Sequence, residues 1–227
     1  MSFIHKPVQF DFEGEIGRET GDTGRFYASP KGKKYPSITT VTGLRGKAGI
    51  QEWRARVGEE EANKIGTRAA NRGTAVHDLM EKYVRGDEID ESKLMPHHKR
   101  SLNDLSKVMD EHLSEWYSME KKMWSDYLGV AGQMDLAGRW DGVRSVIDYK
   151  TSAKVKKKEW ISGYFMQEAA YSLMFEERTG IALPNLVIVM DVDNHGVIVF
   201  KEHRDNWVQP LKDEIAYYQR EMRCRPL

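Results

Sequence analysis

The chain has 227 residues, of which 40% are hydrophobic and 31% charged, with Lys+Arg and Asp+Glu equal at 35 each. That length can bury a substantial core in one domain, and the charge balance excludes a single-sign field, so any polyanionic partner must meet a local basic surface. The lone cysteine, Cys224, excludes a disulfide framework, an all-cysteine zinc site and a four-cysteine iron–sulfur cluster within one chain.

No apolar run approaches the roughly 18 residues of a membrane span, and the first residues lack the basic and apolar regions of a secretory signal, so a reducing, cytoplasmic setting is expected. Residues 1–34 are broken by Gly14, Gly17, Gly21, Gly24 and Gly32 and read as strand fragments and loops, an irregular N-terminal segment. Tyr35 to Val41 offers Ser37 or Thr39 as a helix cap, while its β-branched run suits a short strand equally well. Trp53, Val57 and Ile65 predict an amphipathic helix from Ile50 to about Ala70. Gly73 to Val84 reads as a further helix on the spacing of Val76, Met80, Tyr83 and Val84, with His77 and Glu81 four apart on a neighbouring face and Gly86-Asp87 as the stop. Another helix is expected from Lys93 to about Trp116. Its adjacent His97 and His98 diverge by about 100° on a helix and read as a solvated first turn rather than a metal site.

From Tyr117 the period becomes two, predicting strands over Tyr117 to Asp126, Leu128 to Ala137, Val143 to Lys150, Leu186 to Val192 and Val197 to Glu202. Asp141-Gly142 signals a two-residue type I′ hairpin turn, which pairs Trp140 with Val143. Counting back along both strands places Asp135 opposite Asp148, and side-chain alternation puts Lys150 on the face of Asp148. A four-residue loop from Asp126 to Gly129 would add Glu120 opposite Asp135, although Tyr127-Leu128 is poor turn chemistry. Carboxylates held this close repel unless a cation lies between them, and oxygen ligands suit Mg²⁺ or Mn²⁺. Beyond the strand, Lys154, Lys156, Lys157 and Lys158 stand where a phosphate backbone would have to lie. A helix from Glu159 to Arg178 follows, with Tyr164, Gln167, Tyr171 and Met174 on one face, and a C-terminal helix spans about 206–223.

Asp135 and Asp148-Tyr149-Lys150, separated by a hairpin, resemble the PD-(D/E)xK nuclease superfamily. Gly73-Thr74-Ala75-Val76-His77 and Gln167-Glu168-Ala169-Ala170-Tyr171 are similar to the flanking motifs of its RecB-type branch. Pro36-Ser37-Ile38-Thr39-Thr40, Trp53 and Arg72 ahead of that first motif resemble phage exonucleases and the mitochondrial genome maintenance exonuclease. The resemblance covers roughly residues 35–175 and implies an α/β fold, a restriction-endonuclease-like central mixed β-sheet flanked by α-helices, in a single nuclease domain with its core over about 35–205. It implies hydrolysis of DNA phosphodiester bonds with Mg²⁺ or Mn²⁺, in phage-type replication, recombination or repair, with proteins of those processes as candidate partners and, for a phage, the host cytoplasm as the setting. Carried onto this chain, Asp135, Asp148 and the Tyr149 carbonyl would hold the metal with His77 completing or touching the shell, and Lys150 would orient water and stabilise developing charge. Gln167 would position Lys150 or the water, and Tyr171 would support the motif helix or meet nucleic acid beside Lys154, Lys156 and Lys157. A non-catalytic nucleic-acid-binding module and a structure-specific endonuclease are the alternatives to an exonuclease acting on single strands or ends.

Overall fold

The structure is a computed structural model and describes residues 3–224. Its centre is a six-stranded mixed sheet in the order β1-β5-β6-β7-β8-β9. The strands are β1 (Ile4–His5), β5 (Leu113–Ser125), β6 (Val130–Trp140), β7 (Val143–Ser152), β8 (Asn185–Val192) and β9 (Gly196–His203). The β5/β6/β7 meander and the β8/β9 hairpin are antiparallel, whereas β7 and β8 run parallel and are joined through α5 (Ser162–Thr179).

Alternation along β7 and β8 sorts the core into two layers. Val146, Leu186, Ile188 and Met190 pack on α5, α1 (Ile38–Thr42) and α6 (Asp205–Arg223). Ile147, Tyr149, Val187 and Val189 pack on α3 (Glu59–Arg85) and α4 (Pro96–His112). Both faces of the central strands are therefore covered, which explains why Leu186 to Val192 is a nearly continuous apolar run.

Several expectations are revised. The helical break falls at Gly58, whose φ of +86° only glycine adopts freely, so α2 (Lys47–Val57) is separate and α3 runs unbroken through Ala70 to Arg85. The packing of Val76, Leu79, Met80 and Val84 outweighs the roughly 1 kcal/mol that Gly66 or Gly73 costs in a helix. Leu113 to Trp116 belongs to β5 rather than α4, because Glu115 and Trp116 pair with Ile4 and His5 of β1 and with Arg139 and Gly138 of β6. The strand fragments expected in the N-terminal segment do form, and with residues 35–36 they pair into one antiparallel sheet of β2 (Gly17–Gly21), β3 (Gly24–Ala28) and β4 (Lys34–Pro36), its Tyr27 and Tyr35 packed with Trp124 and Ala131. Residues 38–42 are helical with Ser37 at the cap position, where its hydroxyl meets that of Thr39 at 2.8 Å rather than a backbone N–H.

Candidate metal centre and active site

The hairpin that sets the register forms as its sequence dictates. Asp141 and Gly142 both take positive φ, +48° and +77°, and Trp140 pairs with Val143. The ladder runs back to Leu136 and Ile147 and ends there, and the next residues on the two strands, Asp135 and Asp148, bring their carboxyls into interaction. There strand-to-strand bonding gives way to a side chain, and the Asp135 carboxylate accepts the Tyr149 N–H at 3.0 Å. On the other side of β6, Ser125 pairs with Val130, so the connecting loop is indeed Asp126 to Gly129. Burial of Leu128, its N–H bonded to the Ser125 hydroxyl at 2.9 Å, and the positive φ of Gly129 supply what Tyr127-Leu128 lacks as turn chemistry.

Glu120 thereby stands across from Asp135, between the pairs Met119↔Leu136 and Lys121↔Met134. It has φ +50°, rare for a non-glycine residue inside a strand. Met119 and Leu136 belong to the α3/α4 layer, whereas Met123 and Met134 belong to the α5 layer, so the pleat changes face at Glu120 and Asp135.

α3 brings His77 over this point. Its Nδ1 lies 3.3 Å from Asp135 Oδ2, and its ring meets that of Tyr149 edge-on at 6.0 Å. His77, Glu120 and Asp135 can each offer one ligand atom, all within 4.8 Å of one another. Asp148, only 1% exposed, turns to α5: it is ion-paired with Lys150 and lies 3.4 Å from Gln167 Nε2, which is also 3.2 Å from the Tyr171 hydroxyl. Tyr164 places its ring 5.1 Å from Lys150 Nζ.

The electrostatics follow from burying several acids together. Burial, and then the Asp148 charge, pushes the Asp135 carboxyl well above the usual carboxylate range. Burial and the Asp135 charge push Glu120 up to about 7, against a hydrogen bond from Gln133. Burial alone would lower Lys150, but Asp148 and Asp135 overcome it and hold the ammonium protonated above its ordinary value. An imidazole and two mutually repelling carboxylates aimed at one point are a donor set that a divalent cation would satisfy.

The structure thus gathers His77, Glu120 and Asp135 into one group and Asp148, Lys150 and Gln167 into a second, touching it through the opposed Asp135 and Asp148. Lys154, Lys156 and Lys157 follow in the loop after β7, with Lys154 and Lys157 exposed. Tyr171, expected at nucleic acid, is instead 2% exposed with its ring against Gly132, and the helix-supporting role is the one its surroundings allow. His97 and His98 join no three-ligand group among the described residues. They line a cavity of about 900 Å³ between α3 and α4 together with Lys64, Arg68, Asn71 and Arg72. Two residues that the sequence reading named within motifs, without a role, acquire one here. Glu168 is 1% exposed and is pushed well above its usual range by burial and by Asp148; its signal was a charge inside the apolar run Phe165 to Tyr171. Arg72 anchors α3 by bonding Asp191 at 2.7 Å and Asp193 at 2.8 Å, a pairing that no local pattern announces.

Residues 50–219 match the sequence model of the PD-(D/E)XK nuclease superfamily. The chain belongs to this superfamily. The central mixed sheet flanked by helices is the restriction-endonuclease-like fold expected of it. Nucleases of this superfamily use divalent metals, and the group of His77, Glu120 and Asp135 fits that requirement. Among solved structures, the chain is similar to a candidate exonuclease from Eubacterium rectale, with 17% identity and a TM-score of 0.48 over 68% of this chain and 65% of that one. It is also similar to SSO0001, with 15% identity and a TM-score of 0.39 over 80% and 75% of the two chains. The chain spans about 65% of the length of the first. No curated protein matches the sequence.

Proposed function

We propose that this PD-(D/E)XK nuclease is a metal-dependent deoxyribonuclease of the RecB type, an exonuclease that prefers single strands or DNA ends and serves phage-type replication, recombination or repair. The observation that carries the reading is a juxtaposition: three ligand atoms within 4.8 Å on one side of Asp135, and the Asp148–Lys150 ion pair on the other. Asp135, Asp148, His77 and the Tyr149 carbonyl would hold Mg²⁺ or Mn²⁺, with Glu120 joining from β5. Bound there, such an ion supplies water activation and offsets charge on the phosphate.

The chain's own residues do the rest. Lys150 keeps its proton in a buried setting, so a full positive charge stands ready for the negative charge that develops on the scissile phosphate. Gln167 bridges Asp148 and Tyr171, which fixes the carboxylate and with it the ammonium that the carboxylate pairs with. Lys154, Lys156 and Lys157 would take the backbone phosphates leaving the site, giving binding a steep salt dependence.

The test compares labelled linear and circular single-stranded DNA with Mg²⁺ or Mn²⁺, with chelator, and with Lys150→Ala and the volume-conserving Lys150→Met. Linear DNA is expected to be degraded by the wild type only in the presence of metal, and by neither variant, with circular dichroism reporting intact folds. Equal cleavage of the circle sinks the exonuclease assignment, and undiminished activity in both folded variants removes Lys150 from the chemistry.

A further inference from the structure

The segment between β7 and α5 leaves one large ring in solvent. Trp160 is 66% exposed, although its neighbour Ile161 is 1% exposed and anchored in the α5 layer. A single exposed apolar residue is ordinary, but this one has a distinctive setting. Lys157 holds its ammonium 5.5 Å from the Trp160 ring, Val155 is 47% exposed, and Lys154 is exposed beside it, while Lys158 is committed to Glu202. A basic surface interleaved with an exposed indole is the composition that single-stranded nucleic acid engages, through phosphates and base faces together.

Its place in the fold sharpens the point. Trp160 lies in the short 3-10 turn Lys158–Ile161 that leads into α5, and Tyr164 and Gln167, three apart, share one face of the first turns of α5. Trp160 stands in solvent, half-buried Tyr164 lies against Lys150, and Gln167 reaches Asp148.

We infer that Trp160 is a base-stacking subsite, holding the face of an unpaired nucleobase beside the phosphate that Lys150 engages, with Lys154 and Lys157 on the flanking phosphates. A base inside a duplex has no free face to offer, so the subsite selects single-stranded DNA. The inference rests on the nuclease reading of the Asp135–Asp148–Lys150 site and adds the group that distinguishes one strand from two.

Fluorescence anisotropy of a labelled oligothymidine and of a duplex of equal length, in chelator, tests it with wild type, Trp160→Ala and Trp160→Phe. Because the ring is exposed, both variants should fold. Trp160→Ala is expected to weaken single-strand binding by about 5- to 150-fold, the range for losing one stacked base, and duplex binding by less than about twofold, with Trp160→Phe restoring most of the difference. Equal losses on both DNAs, or none on the single strand, overturn the subsite. Wild-type cleavage in Mn²⁺ is measured alongside. If it occurs and the binding ratio does not move, only the subsite fails; if it is absent while Trp160→Ala selectively loses the single strand, only the nuclease reading fails.

Discussion

Asp135 concentrates the cost of this site in one side chain. It is 8% exposed, faces Asp148 across the hairpin, and carries a proton affinity raised by burial and by that neighbour. Removing its charge without changing its shape should therefore relax the metal-free protein. At pH 8 in chelator, Asp135→Asn is expected to gain about 1 kcal/mol, or ~2–4 °C in Tm for a chain of this size. The same variant should lose the rise in Tm that Mn²⁺ gives the wild type through binding to the native state. Scanning calorimetry with and without Mn²⁺ reads both quantities, and an undiminished ion-dependent rise in Asp135→Asn would exclude it as a ligand. The sequence carried the Asp141-Gly142 turn and the Trp140–Val143 pairing, because a two-residue turn leaves no freedom in register. It could not show that the Asp135 carboxylate takes over the Tyr149 N–H, since that depends on where the two strands part.

At the scale of elements, two junctions hold the site strands. Gly132 lies beneath Tyr171, and a Cβ there would stand 2.5 Å from Tyr171 Cε1 and 3.2 Å from Ile38 Cγ2. Gly132→Ala must push the Tyr171 ring away and disturb its bond with Gln167. A loss of about 1–3 kcal/mol is expected from urea unfolding, and a change under about 0.5 kcal/mol would mean that the ring gives way freely. The second junction is Glu115 of β5, which pairs with Lys6 just after β1 and accepts from Arg139 Nε of β6 at 2.9 Å, and from Tyr117 at 2.7 Å. Lys6, then Arg139 and Tyr117, hold its carboxyl down at about 2 against an ordinary 4.5. A depressed pKa contributes stability that is present above the unfolded value and is lost as pH falls through the folded one. Glu115→Gln should thus lower the urea midpoint at neutral pH and flatten its decline between about pH 4.5 and 2. An unchanged slope would count against the network. Sequence periodicity found β5 and β6 but not the bulges between Leu113 and Ser118, because a bulge is set by the partner strand as much as by its own residues.

For the whole molecule, catalysis would require the helical layer carrying His77 to stay docked on the strands carrying the carboxylates. Arg72 is the fastening: it reaches from α3 to Asp191 at the end of β8, a residue with no exposure that also accepts from Ser101 of α4. Arg72→Met leaves that carboxylate buried and undercompensated, at an expected cost of about 3–5 kcal/mol. Adding Asp191→Asn should recover part of the loss, and a double-mutant cycle in urea would show no coupling if the two do not act together. What the sequence determined by itself was whatever depends on neighbours in the chain: strand alternation, the Asp-Gly turn, the Trp140–Val143 register that it sets, and the shared face of Asp148 and Lys150. Those follow from backbone geometry with a period of two and a turn of fixed length. Tertiary structure alone decided that α3 passes through Ala70 without a break, that the glycine-rich beginning folds into its own sheet, that Tyr171 is interior, and that Arg72 and Glu168 belong to the neighbourhood of the site. Each of these depends on which surface packs against which, and burial is a property of the assembled layers that no stretch of chain carries on its own.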